Sequence, residues 1–274
     1  MDLSREGAAG RFYGPESVSW RVNRESVLVL AGGRALLMQL AHPAVAAGVD
    51  EHSDFRRRPL SRLLRTLDLN FKLNLGNRRE VLEAAQAINR VHHGVHGTGY
   101  SALDPSLLFW VHATLIDSAL VAYETFVDPL RPAERDEYLK EAQNVGRLLG
   151  VPPALYPRDI GGFERYLDGM LGGTELRVDA RARELASSVL RPPVRGVPAA
   201  AWGPFGALTA GLLPRRLREA YGLPWGRRQR AVFAGARWSL PRLIPLLPGG
   251  LRTVPQARSR HPRKPRGSPR PRAH

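Results

Sequence analysis

The chemistry that this sequence could perform is concentrated in its histidines. Six of the eight lie between His42 and His112, and the chain contains no cysteine. The lack of cysteine excludes disulfide scaffolds, thiolate zinc sites, iron–sulfur clusters and thiol nucleophiles. Histidine, carboxylate and arginine chemistry remain.

His92 falls on the apolar face of a predicted helix. Val81, Ala85 and Ile88 follow Asn77 at a spacing that places them on one helix face, and His92 is the next member of that series. Two interpretations are open. The ring can be a buried structural group satisfied by a backbone carbonyl, or a neutral imidazole directed at a metal or cofactor, since imidazole suits iron, copper and zinc.

The neighbouring histidines are weaker candidates. His93 lies on the polar face of the same helix, which predicts that it is solvated. His96 follows His92 by four residues and could form a metal-binding pair with it. Gly94 and Gly97 indicate, however, that the helix ends before His96.

A second group of candidate residues lies on the helix that Pro59 can begin. Arg62, Arg65 and Thr66 are spaced i, i+3, i+4 and therefore share one face. This face is either a solvated charged surface or a clamp for an anion, because guanidinium groups bind carboxylates and phosphates in a bidentate manner.

His112 lies in an almost wholly apolar stretch that also contains Asp117 and Ser118. Leaving such groups buried without partners costs about 1–3 kcal/mol each. We therefore expect partners, either in a hydrogen-bond network that joins helices or in a group that orients a ligand.

The elements that must position these residues are helices, since helix caps and 3.6-residue apolar periods recur while strand alternation is almost missing. The sequence predicts an all-α fold with more than half of its residues helical, in one multi-helix domain over 12–251. The apolar run 23–41 should break at His42 and Pro43. The other predicted helices are 59 to about 71, 78 to about 93, 104–126, 132–149 and, approximately, 161–171, 179–190, 200–213, 215–221 and 227–238.

The positive charge is unevenly distributed. The chain has 41 basic and 25 acidic residues, a net charge of +16, but 13 of the basic residues and none of the acidic ones lie in 220–274. We expect 252–274 to be a disordered basic tail, because it has too little apolar surface to offset the entropy of ordering. It is either a solubilising extension or a contact for an anionic membrane or, less favoured, nucleic acid.

No secretion signal is recognisable near Met1, which favours a cytoplasmic protein. The apolar segments 27–49 and 198–214 are interrupted or short, and they favour buried helices over membrane spans. Peripheral membrane contact remains open. The sequence contains no P-loop, serine-hydrolase elbow or zincin motif, so those enzyme classes have no support.

Several of these motifs together resemble the MpaB-type oxygenase family, which is related to the latex-clearing rubber oxygenases. The resemblance extends over about 13–251 and is most specific at 100–117. It rests on Arg34-Ala-Leu-Leu-Met-Gln-Leu-Ala-His42-Pro43, Pro59-Leu-x-Arg62-Leu-Leu-Arg65-Thr66, Asn89-Arg-Val-His92, Tyr100-Ser-Ala-Leu-Asp104-Pro105 and Trp110-Val-His112-Ala-Thr-Leu-x-Asp117.

This resemblance implies a helical fold around a haem-sized pocket with non-covalent haem b, and O2-dependent cleavage of a carbon–carbon double bond in a small apolar substrate such as an isoprenoid. His92 would be the iron ligand, with Arg62, Arg65 and Thr66 as catalytic residues beside the haem, and His42 and His112 in support. Arg65 stands where rubber oxygenases have lysine, and arginine cannot lose its proton.

The alternative is a non-haem metal-binding or cofactor-free helical binding protein, with His92 and His96 as ligands in the metal-binding case. Its basic tail would contact an anionic membrane or nucleic acid. Neither interpretation predicts an oligomeric state.

Overall fold

The computed structural model describes residues 10–52, 59–194 and 196–258, without the side chains of 59–64. The protein is 73% helical, and its described part contains one small two-stranded sheet. The predicted all-α fold is therefore confirmed.

The α-helices are α1 (Val18–Asn23), α2 (Ala31–Leu40), α3 (Pro43–His52), α4 (Pro59–Leu75), α5 (Arg78–His93), α6 (Pro105–Phe126), α7 (Pro132–Leu148), α8 (Ile160–Gly172), α9 (Ala180–Leu190), α10 (Gly203–Leu212), α11 (Arg215–Ala220), α12 (Arg227–Leu243), α13 (Gly249–Arg252) and α14 (Pro255–Arg258). Short 3-10 helices span Ser26–Leu30, Pro153–Leu155, Ala199–Trp202 and Ile244–Leu246. Strands β1 (His96–Gly97) and β2 (Tyr100–Ser101) pair antiparallel between α5 and α6, with His96 opposite Ser101.

The two helices that carry the candidate histidines begin where the sequence predicts. Asn77 caps α5 through a capping box, in which its Oδ1 accepts from the Glu80 N–H (2.9 Å) and the Glu80 carboxylate accepts from the Asn77 N–H (2.8 Å). Asp104 caps α6 by accepting from the Ser106 N–H at 2.8 Å, with Pro105 in the first turn. Local side-chain chemistry thus fixes both starts.

Helix α6 runs through the main hydrophobic core, where Trp110 and Phe126 are fully buried. Helices α2 and α12 pack against it, and α10 packs against both α2 and α12. Gly33 permits the close approach of α2 and α10, since a Cβ at this position would lie 2.4 Å from Oγ1 of Thr209. A substitution at Gly33 would force these helices apart.

A second, smaller hydrophobic cluster positions α5. Helix α5 packs against α4 and α7, while α1 packs against α4 and α7. The buried members of the cluster are Tyr13, Leu73, Val81, Ala84, Ala85 and Val145. The face of α5 predicted to be apolar is therefore the face that is buried.

The apolar run 23–41 is less regular than predicted. It forms the 3-10 helix Ser26–Leu30 followed by α2, and the axis then bends by 107° into α3. The bend lies at His42, where the prediction placed it, because the following proline removes an N–H and restricts the preceding residue.

The start of the C-terminal tail was predicted too early. Residues 252–258 contribute to the helices α13 and α14, and Val254 is buried while its N–H donates to the Arg24 carbonyl at 2.9 Å. Arg252 donates to the carboxylate of Glu25, which is only 1% exposed, at 3.0 Å. These contacts supply partners that composition alone does not reveal. The rest of the predicted tail, 259–274, lies outside the described residues.

Within the described residues, α6 is long and apolar enough to cross a membrane, but two thirds of its apolar window (67%) are buried inside the protein. The bent pair of 26–40 and α3 passes the same test only if it is taken as one broken span. Burial on this scale is typical of a core helix.

Candidate functional site

His92 lies in the last turn of α5 and is half-buried. Its Nδ1 is fully buried and has no hydrogen-bond partner among the described atoms. Burial, and secondarily the nearby charge of His93, lower the pKa of His92 below its ordinary value. Burial therefore favours the neutral ring, which is the form in which imidazole binds a metal.

His93 follows on the same helix but is exposed, as its position on the polar face predicts. Asn89, one turn earlier, donates from its amide to the Leu148 carbonyl at 2.9 Å and ties α5 to α7. The two adjacent histidines thus have different surroundings on one rigid element.

Helix α4, which carries the predicted arginine group, packs beside α5. The side chains of Arg65 and Thr66 are exposed. That of Arg62 lies outside the described side chains. The structure thus shows that α4 and α5 are neighbours. That Arg62, Arg65 and Thr66 converge on one cofactor stays a prediction.

His112 is buried in α6, and its Nδ1 shares a hydrogen bond of 2.6 Å with the Tyr156 hydroxyl. Burial lowers the pKa of His112 to about 4. Gly146 of α7 provides the space for this pair, since a Cβ there would lie 2.9 Å from Nδ1 of His112 and would overlap the Tyr156 hydroxyl. The predicted partner exists, and it joins α6 to the loop after α7.

Asp117 and Ser118 also have the partners that were expected. Arg34 of α2 forms an ion pair with Asp117 at 2.6 Å and donates to the Ser118 hydroxyl and the Leu212 carbonyl at 2.8 Å each. This network joins α2, α6 and α10.

His42 lies at the bend between α2 and α3. Its Nδ1 accepts from the Ala44 N–H at 3.3 Å. Burial lowers the pKa of His42, against the opposing charges of Glu175 and Asp104. The His42 ring thus accepts a hydrogen bond from the first turn of α3.

His96 does not lie on α5, because that helix ends at His93. His96 is exposed in β1, and its carbonyl is 2.8 Å from Nε2 of His52. No cluster of three or more histidine, cysteine, aspartate or glutamate side chains arranged for a metal ion occurs within 10–52, 59–194 or 196–258.

Comparison with known families identifies the chain. The catalytic domain described as "ER-bound oxygenase mpaB/B'/Rubber oxygenase" matches residues 20–242, which include the helices α2 to α11 and most of α12. The chain belongs to this family. It is accordingly an enzyme of the oxygenase class, and the mpaB/rubber-oxygenase domain comprises both His92 and the buried network of α6.

Curated relatives add no assigned activity. Uncharacterized proteins of Mycobacterium bovis and Mycobacterium tuberculosis are each 30% identical to this mpaB/rubber-oxygenase chain over 213 residues, covering 72% of it and 81% of the relative. No solved structure matches the chain significantly.

Sequence reasoning missed the partners of the buried polar groups. Tyr156 lies 44 positions from His112, in a proline-rich loop without helical periodicity. The ion pair of Arg34 with Asp117 was not predicted either. An arginine in an apolar segment, with a buried aspartate predicted elsewhere, is a usable signal for an ion pair between helices.

Proposed function

We propose that this oxygenase holds haem b through His92 and uses O2 to cleave a carbon–carbon double bond in an apolar substrate such as an isoprenoid. The observation that carries the proposal is the buried Nδ1 of His92, which has no partner among the described atoms. A buried polar atom without a hydrogen-bond partner is energetically unfavourable and rare in native proteins, and a functional role is one reason for such an exception.

The donor set fits a haem better than a bare metal ion. A zinc or non-haem iron site needs three or more protein ligands, and the described residues offer no such cluster. Haem needs a single axial histidine, because the porphyrin supplies the equatorial ligands. One neutral, half-buried imidazole at the end of a rigid helix meets that requirement.

The residues of α4 would bind the polar edge of the cofactor. Arg65 is exposed and permanently charged, so it is suited to pair with a haem propionate, with Arg62 and Thr66 on the same helix face. Arg65 cannot act as a base, because arginine keeps its proton in proteins.

When bound, haem would supply the activation of O2. The reaction balances without a further reductant, since each carbon of the cleaved double bond receives one oxygen atom of O2 and becomes a carbonyl. The apolar side chains around α5 and α6 would exclude water from the alkene. The His112–Tyr156 hydrogen bond would hold the loop after α7 against α6, and the Asn89–Leu148 hydrogen bond would hold α5 against α7.

Absorption spectroscopy of the protein expressed with a haem precursor tests the cofactor. We expect a Soret band that is lost in His92→Ala and retained in His93→Ala, with unchanged far-UV circular dichroism in both. His93→Ala is the matched control because it removes the same group one position away. A Soret band that survives in His92→Ala and is lost in His93→Ala would contradict the assignment, as would a folded protein without haem.

Oxygen uptake tests the reaction. The haem-loaded protein should consume O2 in the presence of squalene and release carbonyl products that a hydrazine reagent traps. Uptake without carbonyl products would show that the haem is present but that double-bond cleavage is the wrong reaction.

A further inference from the structure

The C-terminal part of the described chain exposes a continuous apolar segment. Residues 243–251 contain only leucine, isoleucine, proline and glycine. Ile244 is buried, but Leu243, Leu246 and Leu251 are 52%, 79% and 65% exposed, and Leu247 is exposed as well. Such a concentration of large exposed apolar side chains marks an interaction surface.

Basic residues and a tryptophan flank this segment. Trp238 is 65% exposed, and the guanidinium of Arg242 stacks 4.6 Å from its ring centroid. Arg237 is exposed on the same helix. No acidic residue occurs anywhere in 220–274. We call residues 238–251, with these side chains, the 238–251 surface.

The backbone of the segment is suited to an apolar environment. Pro245 and Pro248 have no N–H to satisfy. The N–H groups of Leu247 and Leu251 donate to the carbonyls of Ile244 and Pro248, at 3.2 and 2.8 Å. At these four positions no N–H would lose a hydrogen bond to water if this turn entered a lipid interface.

The segment is also anchored at both ends. Ile244, near its start, and Val254, three residues past its end, are buried, and the pairing of Arg252 with Glu25 holds its C-terminal end to the body. The exposed leucines are therefore presented from a fixed position.

We propose that the 238–251 surface contacts the surface of an anionic lipid bilayer. Exposed leucines, an interfacial tryptophan and arginines in an acid-free segment match the apolar and negatively charged layers of such a bilayer. A second copy of the chain is a poor occupant, because a two-fold contact would bring like charges together. Residues 259–274 contain six basic and no large apolar residues, so they have no apolar side chains with which to cover the leucines of the 238–251 surface.

Vesicle co-sedimentation of the full chain tests this proposal. The probes are vesicles of phosphatidylcholine alone and of phosphatidylcholine mixed with phosphatidylglycerol. We expect binding at least tenfold stronger to the anionic vesicles at low salt. The absence of binding to them would overturn the proposal.

Matched variants separate the apolar and electrostatic contributions. Leu246→Ser with Leu251→Ser should weaken binding to the anionic vesicles at least tenfold. Arg237→Gln with Arg242→Gln should weaken it about tenfold while leaving the weak binding to neutral vesicles unchanged. Leu103→Ser, at a 42% exposed leucine elsewhere, is the control and should change nothing.

Two further measurements distinguish contact through the 238–251 surface from contact through the C-terminal tail. Lipids brominated in the acyl chain should quench tryptophan fluorescence in the wild type and much less in Trp238→Phe. Removal of 259–274 should weaken binding less than the double leucine substitution. If the truncation abolishes binding and the leucine variant retains it, the tail is the contact and the proposal is wrong.

A leucine-dependent dimer, measured by light scattering together with failure to bind vesicles, would also overturn the proposal, because a second copy would then cover the surface. If the double leucine variant does not fold, the single variants Leu246→Ser and Leu251→Ser repeat the test at exposed positions.

Discussion

Helices α5 and α6 each carry a histidine with a buried ring nitrogen, but only one of these nitrogens has a hydrogen-bond partner among the described atoms. In α6, His112 has a partner in Tyr156, and Asp117 and Ser118 have one in Arg34. In α5, Nδ1 of His92 is buried with no partner among the described atoms. The α6 network stabilises the fold, whereas the unpaired nitrogen of α5 is a cost that a bound ligand would remove.

The largest expected effect concerns the ion pair between buried Arg34 and half-buried Asp117. Arg34→Ala should lower the free energy of unfolding by about 3–5 kcal/mol, because it leaves the Asp117 carboxylate and the Leu212 carbonyl without their donor. Urea unfolding followed by circular dichroism measures this. The double variant Arg34→Met, Asp117→Leu should lose less, and an equal loss would mean that packing dominates over charge.

Acid should destabilise the α6 network through His112. An unfolded histidine titrates near pH 6.5, whereas burial lowers the pKa of His112 to about 4. Between these values the unfolded state binds the proton and the folded state does not, so stability falls as the pH falls through this window, by about 3 kcal/mol in total.

Urea unfolding at pH 7 and pH 4.5 checks this pH dependence. His112→Gln should show a shallower loss than the wild type. His42 and His92 titrate in the same direction and are present in both proteins. Equal slopes for the two proteins would mean that His112 is not responsible.

Removal of the Tyr156 hydroxyl is a smaller perturbation of the same network. Tyr156→Phe leaves Nδ1 of His112 without its partner and should cost about 1–2 kcal/mol in thermal or urea unfolding. Tyr166→Phe is the matched control, since its ring packs against Phe109, as that of Tyr156 does. If both substitutions cost the same, the hydrogen bond contributes nothing specific.

The smallest effect should have the opposite sign. In the cofactor-free protein, His92→Leu should leave the free energy of unfolding unchanged or raise it by up to about 1 kcal/mol, because it removes an unsatisfied buried nitrogen. Urea unfolding of both haem-free proteins measures the difference. A loss above about 2 kcal/mol would show that Nδ1 has a partner and would remove the contrast between the two helices.

The starts of α5 and α6 were predictable because their caps are local: Asn77 with Glu80, and Asp104 with Ser106, lie within three residues of each other. The end of α12 was not, since the helix continues past the predicted residue 238 through Pro241 to Leu243. A proline so close to the end of a helix removes only one of its hydrogen bonds, and α12 as a whole packs against α6 and α10.

For the candidate site, the sequence predicted which helix face each histidine occupies, but it did not predict which residues bond to the buried polar groups. The 3.6-residue period correctly distinguished half-buried His92 from exposed His93. It could not identify Tyr156 or Arg34, which lie 44 and 84 positions from the residues they bind. Pairing across such distances depends on how the helices pack, which no local pattern contains.

The pairing of Glu25 with Arg252 has a consequence for the order of folding during synthesis. These residues lie 227 positions apart, so Glu25 leaves the ribosome long before Arg252 exists. In the described structure the adjacent Arg24 also pairs with Glu25, at 3.3 Å. The Glu25 side chain is almost fully buried in the finished protein, and burying a carboxylate without its full set of partners is strongly unfavourable. The nascent chain must therefore keep this edge open until its C-terminal segment arrives, and a chain truncated before Arg252 cannot close it.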